Sequence, residues 1–487
     1  MISLRWVPAL ASTPDNRGAT GCELRYLCAD RESAHRLRVA ARYDRRTTRP
    51  TAGPAGERPV TAADTVAAPP AALMPGDLMT RRQRLRLILV LGSLIAVGPL
   101  TIDMYLPALP AIVDDLATSS AAVQLTLTGT LIGLALGQLL IGPLSDAVGR
   151  RKPLIAGTAL HIVASVCCAL APNIAVLGAL RVVQGLGAAA AAVIAMAVVR
   201  DLFSGSSFAQ LLSRLLLVMG AAPVLAPTLG SELLRWTQWR GVFAALAVFG
   251  VLLLLIAILG LPETLPPLRR QRGGVVPTVR LYGSLLRDRA FVGLVLVAGL
   301  AMAALFAYVG GSSFVLQGQY GLDEQQFGLA FGAGAIGLIA ATQANVRLLR
   351  RYSPQRILFT ALLVGSAASL VLLGFAATGI GGLPALLAAL WVVLATAGLA
   401  LPNAPALALT RHGEAAGTAS ALLGAAQFGI GAVAAPLVGV FGTGAMAMAL
   451  VIAGGMVSAL VVLLLVVRPG RLPAMQPETE TMAVAVH

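Results

Sequence analysis

Twelve apolar stretches of about twenty residues each run through this 487-residue chain, separated by short loops that hold most of its charge. A helix rises 1.5 Å per residue, so about 20 apolar residues cross the ~30 Å of hydrocarbon in a bilayer. Inside lipid every backbone polar group must be paired within the protein, which leaves only helices and closed barrels. The stretches are continuous rather than alternating, so they read as helices. Charged residues make up 12% of the chain and apolar ones 57%, about half the charge of an ordinary soluble domain. The expected fold class is an all-α integral membrane protein with twelve transmembrane helices in two six-helix halves.

The spans are expected near 85–109, 120–141, 153–171, 174–199, 207–234 and 240–261, then 290–316, 325–348, 355–377, 382–409, 414–441 and 444–467. This divides the chain into an N-terminal half over 81–261, a linker over 262–289, a C-terminal half over 290–467 and a tail over 468–487. Residues 1–80 are rich in Arg, Ala, Pro and Thr without an apolar period. They are expected to be disordered or an upstream mis-start, with Met74 or Met79 as the true beginning. The net charge of +15 is a topology signal rather than a nucleic-acid groove. Alternate loops carry Arg81, Arg82, Arg84 and Arg86, then Arg150, Arg151 and Lys152, then the arginines of the linker, then Arg347, Arg350, Arg351 and Arg356. The opposite loops hold Arg235 and Arg240 beside Trp236 and Trp239, as in an interfacial aromatic belt. The positive-inside rule therefore places both termini in the cytoplasm. The lone Lys152 among so many arginines points to a GC-rich bacterial coding sequence.

The halves resemble each other weakly. Leu131 to Leu134 match Ala335 to Leu338, Leu180 to Val183 match Leu390 to Val393, and Ala226 to Gly230 match Ala435 to Gly439, at offsets of roughly 204 to 210. A duplicated six-helix unit places its binding site between the halves.

A carboxylate at bilayer depth costs at least ~2.5–3.5 kcal/mol on insertion scales, so such a residue is functional by default. Asp103 is that residue in the first span, and Arg181 is the basic residue deep in the fourth. Both lie roughly 10 Å below the outer surface, so they are expected to meet across the N-terminal bundle, either as a proton-coupling pair or as a structural ion pair. A proton and a cationic substrate would compete for the one carboxylate. Gln184 follows Arg181 on the same helix face and is expected to orient the guanidinium or to hydrogen-bond a substrate in the cavity, and Tyr105 lies half a turn from Asp103, lining a cavity or sitting at the interface. Tyr308 and Gln427 are the polar groups expected to line the cavity from the second half. Gly185, Gly187 and the alanines up to Ala192 permit close helix approach. The loop after the second span holds Gly142, Asp146, Gly149, Arg150 and Arg151, expected to form a charged latch, with a plain topology loop as the alternative. Gly220, Pro223, Pro227 and Gly230 are expected to bend the fifth span and free its carbonyls. His161 reads as a packed residue, and Cys167 and Cys168 as apolar filler. No metal-ligand spacing is present.

These motifs together resemble the major facilitator superfamily, and more closely its Bcr/CflA drug-resistance transporters. The resemblance rests on Asp103-Met104-Tyr105-Leu106-Pro107-Ala108-Leu109-Pro110, the loop from Gly137-Gln138 to Arg151, and Arg181-Val182-Val183-Gln184-Gly185. Arg200-Asp201-Leu202-Phe203, Ala222 to Pro227 and Gly417 to Gly424 add to it. It implies proton/drug antiport, with Asp103 as the membrane carboxylate, Arg181 as its arginine and the proline-rich fifth span as the antiporter motif. Two positions depart from the pattern. Ala147 stands where a basic residue is usual, and Ser231 where a second glycine ends the antiporter motif.

The expected function is export of drugs or other small amphipathic molecules by alternating access, across a bacterial cytoplasmic (inner) membrane. The proton gradient supplies the energy, with no cofactor, and a single chain surrounded by lipid suffices. The nearest alternative is a proton-coupled uptake permease for a small polar metabolite. A membrane-embedded enzyme would need paired acids, metal-spaced histidines or an activated nucleophile, and the spans hold no such set.

Overall fold

The computed structural model describes residues 74–270 and 275–468; the expected N-terminal extension and C-terminal tail fall mostly outside them. The described chain is helical throughout. In order, α1 spans Arg81–Asp103, α2 Leu109–Asp115, α3 Ser120–Val148, α4 Arg151–Ala169, α5 Ile174–Leu202, α6 Gly205–Leu234 and α7 Trp239–Gly260. Then follow α8 Val275–Leu285, α9 Arg289–Ser313, α10 Glu324–Leu348, α11 Pro354–Thr378, α12 Gly382–Leu409, α13 Ala416–Val440 and α14 Ala445–Val462. Among the described residues eleven segments are long and apolar enough to cross a membrane, and α6 contains a shorter apolar stretch, Val218–Leu234. The protein is thus a multi-pass membrane protein with two sets of six spans.

Local chemistry marks the ends. Thr80 and Gln83 form a reciprocal capping box on α1, and Asp323 and Gln326 do the same on α10. Ser119, Asn173 and Ser353 accept from the first-turn amides of α3, α5 and α11, each satisfying a donor that a helix start leaves unpaired. Gly149 ends α3 with φ +98°, a region glycine enters without a Cβ clash.

Asp288 caps α9 through Ala290 N and also receives Arg411 Nε and His412 Nε2, both at 3.1 Å. The His412 ring meets Phe291 edge-on at 5.2 Å. Partial burial would raise the Asp288 carboxyl, but Arg411 and the amides of Ala290 and Phe291 outweigh it and hold the group below its ordinary value. A carboxylate lowered on folding adds stability that is complete above about pH 4 and fades as pH falls through the lowered value. Asp288→Asn should therefore melt below wild type in detergent at pH 6, and the gap should narrow towards pH 3.5. A gap independent of pH would show that the cap alone, worth about 1 kcal/mol, accounts for the residue.

Two expectations need correction, and the linker gains an element. The first span does not end near Leu109. Its α-helix stops at Asp103, a 3-10 turn covers Leu106–Ala108, and helix resumes to Asp115, so Pro107 and Pro110 divide one long segment rather than close it. The linker, expected as a polar, Arg-rich connector, contains α8. Of the two expected belt tryptophans, Trp236 is exposed, but Trp239 is buried and donates to Asp115 Oδ2 at 3.0 Å.

The halves meet along two seams. In one, α3 lies against α13, with Thr128 Oγ1 donating to Ala432 O at 3.0 Å. In the other, α6 lies against α10. A Cβ on Gly220 would contact Ile339, and Gln325 Nε2 donates to Ser231 O at 3.3 Å. At the break in the first span, Ser313 Oγ donates to Leu106 O at 2.6 Å and Gln317 Nε2 to Pro107 O at 3.2 Å. Ser231, the departure from the antiporter pattern, is buried in the α6 seam, where its hydroxyl returns to Pro227 O at 2.8 Å.

Candidate transport site

Asp103 is the last α-helical residue before the break and is 5% exposed. Its carboxylate has no ion-pair or hydrogen-bond partner among the described residues. Tyr308 on α9 lies close enough for the two groups to interact electrostatically. That tyrosine is buried and stacks on Phe331 of α10 at 5.0 Å with an interplanar angle of 19°. The break itself is packed by α6, because Gly230 abuts the Met104 carbonyl and a Cβ there would collide with it. That contact requires glycine at this position of the chain.

Arg181 does not meet Asp103. The guanidinium is fully buried, and its Nη1 donates to Thr101 O at 3.1 Å and to Gln184 Oε1 at 2.6 Å. It lies over the Tyr105 ring at 4.1 Å and near Phe243 at 5.5 Å, which gives cation–π attraction in place of a counter-charge. Its Nε and Nη2 have no hydrogen-bond partner among the described residues. Gln184 Nε2 continues the chain to Ser165 Oγ at 2.8 Å, and Ser165 closes on His161 O at 2.7 Å. The expected contact is thus replaced by one between Arg181 and the Thr101 carbonyl and Tyr105 ring of the first span. Tyr105 and Gln184, expected to line a cavity, are both fully buried in this network. Gln427 is half-buried on α13.

Close packing makes the network possible. A Cβ on Gly185 would press on the Thr130 backbone of α3, and one on Gly187 would come within 2.6 Å of His161 N on α4. The small residues of α5 thus bring three helices together, as such residues do within membranes.

At the far end of the N-terminal half the expected latch residues do gather. Arg150 is buried and binds Asp146 Oδ1 at 2.5 Å, Asp201 Oδ2 at 2.9 Å and Ser145 Oγ at 2.7 Å. Glu263 accepts the amides of Arg150 and Arg151 at 2.8 and 3.2 Å, and Arg151 Nη2 reaches Ile258 O at 2.8 Å. Asp201 and Glu263 were not assigned roles from the sequence. The available signal was that both are acids at the ends of spans in a chain with 21 acids against 36 bases. Ala147 is exposed and takes no part in the cluster. Burial works against the Arg150 charge, and the Asp201 and Asp146 carboxylates more than offset it. Arg150→Gln should leave those acids uncompensated and cost about 3 kcal/mol, read as a lowered midpoint in detergent unfolding. An unchanged midpoint would reduce the cluster to a topology signal.

A twelve-span bundle with an acid at the junction of its halves is the architecture of a membrane transporter. The chain belongs to the major facilitator superfamily, whose family model matches residues 89–436. It is 39% identical over 363 residues to the uncharacterized MFS-type transporter YdgK of Bacillus subtilis, covering 74% of this chain and 90% of that one. It is 31% identical to the bicyclomycin resistance protein homolog of Haemophilus influenzae, covering 72% of this chain and 88% of that one. A chloramphenicol resistance protein of Pseudomonas aeruginosa is 30% identical, with coverage of 73% and 82%. Among solved structures, a D-xylose-proton symporter superposes with a TM-score of 0.62 at 17% identity, over 81% of this chain and all of that one. At that identity the likeness shows the fold alone. These relatives and neighbours are transporters, not enzymes.

Proposed function

We propose that the protein is a proton-coupled antiporter that exports drugs or other small amphipathic molecules from the cytoplasm by alternating access. The observation that carries this reading is Asp103, an acid at membrane depth, at a helix break and without a cationic partner among the described residues. A residue that costly is retained for the charge it takes up and gives back. In this reading Asp103 binds a proton when open to the outside and releases it when open to the cytoplasm. The Tyr308–Phe331 stack offers π faces to an amphipathic or cationic substrate opposite it. Arg181 biases the site through the α1 backbone at Thr101 and through Tyr105, rather than by direct pairing with the acid. Relatives named for resistance to bicyclomycin and chloramphenicol support export as the direction. The arginine-rich loops support cytoplasmic termini in a bacterial inner membrane. One chain supplies both halves of the site, so a monomer suffices.

The test is proton movement in everted vesicles, whose cytoplasmic face is outward. With an acid lumen, adding a transported drug should release luminal protons. Acidification of the lumen on adding substrate would instead mark symport and overturn the antiport reading.

A further inference from the structure

A second feature lies at the membrane boundary, away from Asp103. The end of α14 and the start of α9 enclose a surface pocket of about 500 Å³, lined by Arg289, Leu465, Val466, Val467 and Arg468. Its construction is unusual. The chain after α14 widens into a π-helical turn over Leu463–Val467, and Arg468 then adopts φ +52°, a left-handed conformation that disfavours residues with a Cβ. Gly293 on α9 makes room for this turn, because a Cβ there would lie 2.8 Å from Val467 and 3.0 Å from Val466. Arg468 Nε is fixed on Leu465 O at 3.2 Å, and its two terminal nitrogens have no partner among the described residues.

The charge in the pocket is not neutralised among the described residues. The nearest acid in sequence, Asp288, is engaged by Arg411, His412 and the α9 amide of Ala290. Neither Arg289 nor Arg468 forms an ion pair with a described carboxylate. Beside the two guanidinium groups, Leu465 and Val466 are 67% and 45% exposed, an apolar strip continuous with the bilayer-facing side of the last span. Two arginines above exposed hydrocarbon match a molecule with a phosphate head and acyl chains. A free phosphate would gain nothing from the apolar wall.

We propose that this pocket binds the headgroup phosphate of an anionic phospholipid, with Arg289 and Arg468 on the phosphate and Leu465 and Val466 against the first acyl carbons. The lipid would bridge the first and last spans of the C-terminal half. The site does not depend on the transport mechanism or on the direction of transport.

The full-length protein, purified in detergent, is unfolded by heat with phosphatidylglycerol, phosphatidylcholine or inorganic phosphate added. Phosphatidylglycerol should raise the midpoint, and the other two should not. A basic residue near an anionic lipid contributes about fivefold in affinity, so Arg289→Gln with Arg468→Gln should need about 25-fold more phosphatidylglycerol for the same shift. Arg289→Lys with Arg468→Lys should retain most of the response, which separates lost charge from lost folding. The control pair Arg280→Gln with Arg287→Gln, both in the linker, should behave as wild type. The proposal fails if the Gln pair responds as wild type, if phosphatidylcholine stabilises equally, or if inorganic phosphate alone reproduces the shift. The last result would mark a soluble-anion site instead.

Discussion

Asp103→Asn is expected to insert and fold as wild type while losing all pH-driven export. Asparagine keeps the shape of the side chain but can neither take up nor release a proton. Moving one charge across 100 mV involves ~2.3 kcal/mol, and 1.4 kcal/mol is a factor of ten. One fully coupled proton could therefore sustain a substrate gradient of about fortyfold per 100 mV, and in the variant that ratio should fall to one. Exchange of labelled for unlabelled substrate needs no net proton movement and should persist. Retention of both activities by Asp103→Asn would remove the acid from the mechanism. Loss of both, with a normal melting curve, would make it a substrate ligand rather than a coupling group.

Arg181 should show the largest effect on folding. Replacement by Ala empties the space between Tyr105 and Phe243 and strips Gln184 Oε1 of its donor. Lost packing and one orphaned buried acceptor together cost about 3–5 kcal/mol. Arg181→Met refills the space between the rings without the charge and should recover much of that stability. Arg181→Lys retains charge, but a point-like ammonium cannot lie flat on Tyr105 while bonding both Thr101 and Gln184. Thermal unfolding of the three variants beside transport separates the two roles of this residue. A Met variant that folds well and transports normally would leave Arg181 a packing element alone.

Much of this was legible in the sequence, and particular residues show why the rest was not. The number of spans and their approximate places follow from apolar length, which is local. The level of Asp103 and Arg181 in the bundle follows from counting residues along a helix. Which way each points does not, since azimuth depends on how α1, α5 and α7 are turned against one another. So the expected contact between the two gave way to Arg181 on Thr101 and Tyr105. The continuation past Leu109 was hidden because Pro107 and Pro110 signal an end, yet a 3-10 turn accommodates the first and the second falls in the opening turn of α2. The buried contact of Trp239 with Asp115 joins residues 124 positions apart, beyond the reach of any local pattern. Gly230 was visible as a motif glycine, but its neighbour, the Met104 carbonyl, was not.

The bonds that join the two halves at their seams share one property. Thr128, Ser313, Gln317 and Gln325 each donate from an uncharged side chain to a main-chain oxygen on the other side. Among the described residues no ion pair crosses that boundary. Each neutral bond contributes about 0.5–1.5 kcal/mol net, so parting all four costs roughly 2–6 kcal/mol, of the order of what one or two protons deliver. A zipper of this kind tears at modest force, and because its teeth are uncharged, added salt should hardly alter how fast the molecule turns itself inside out.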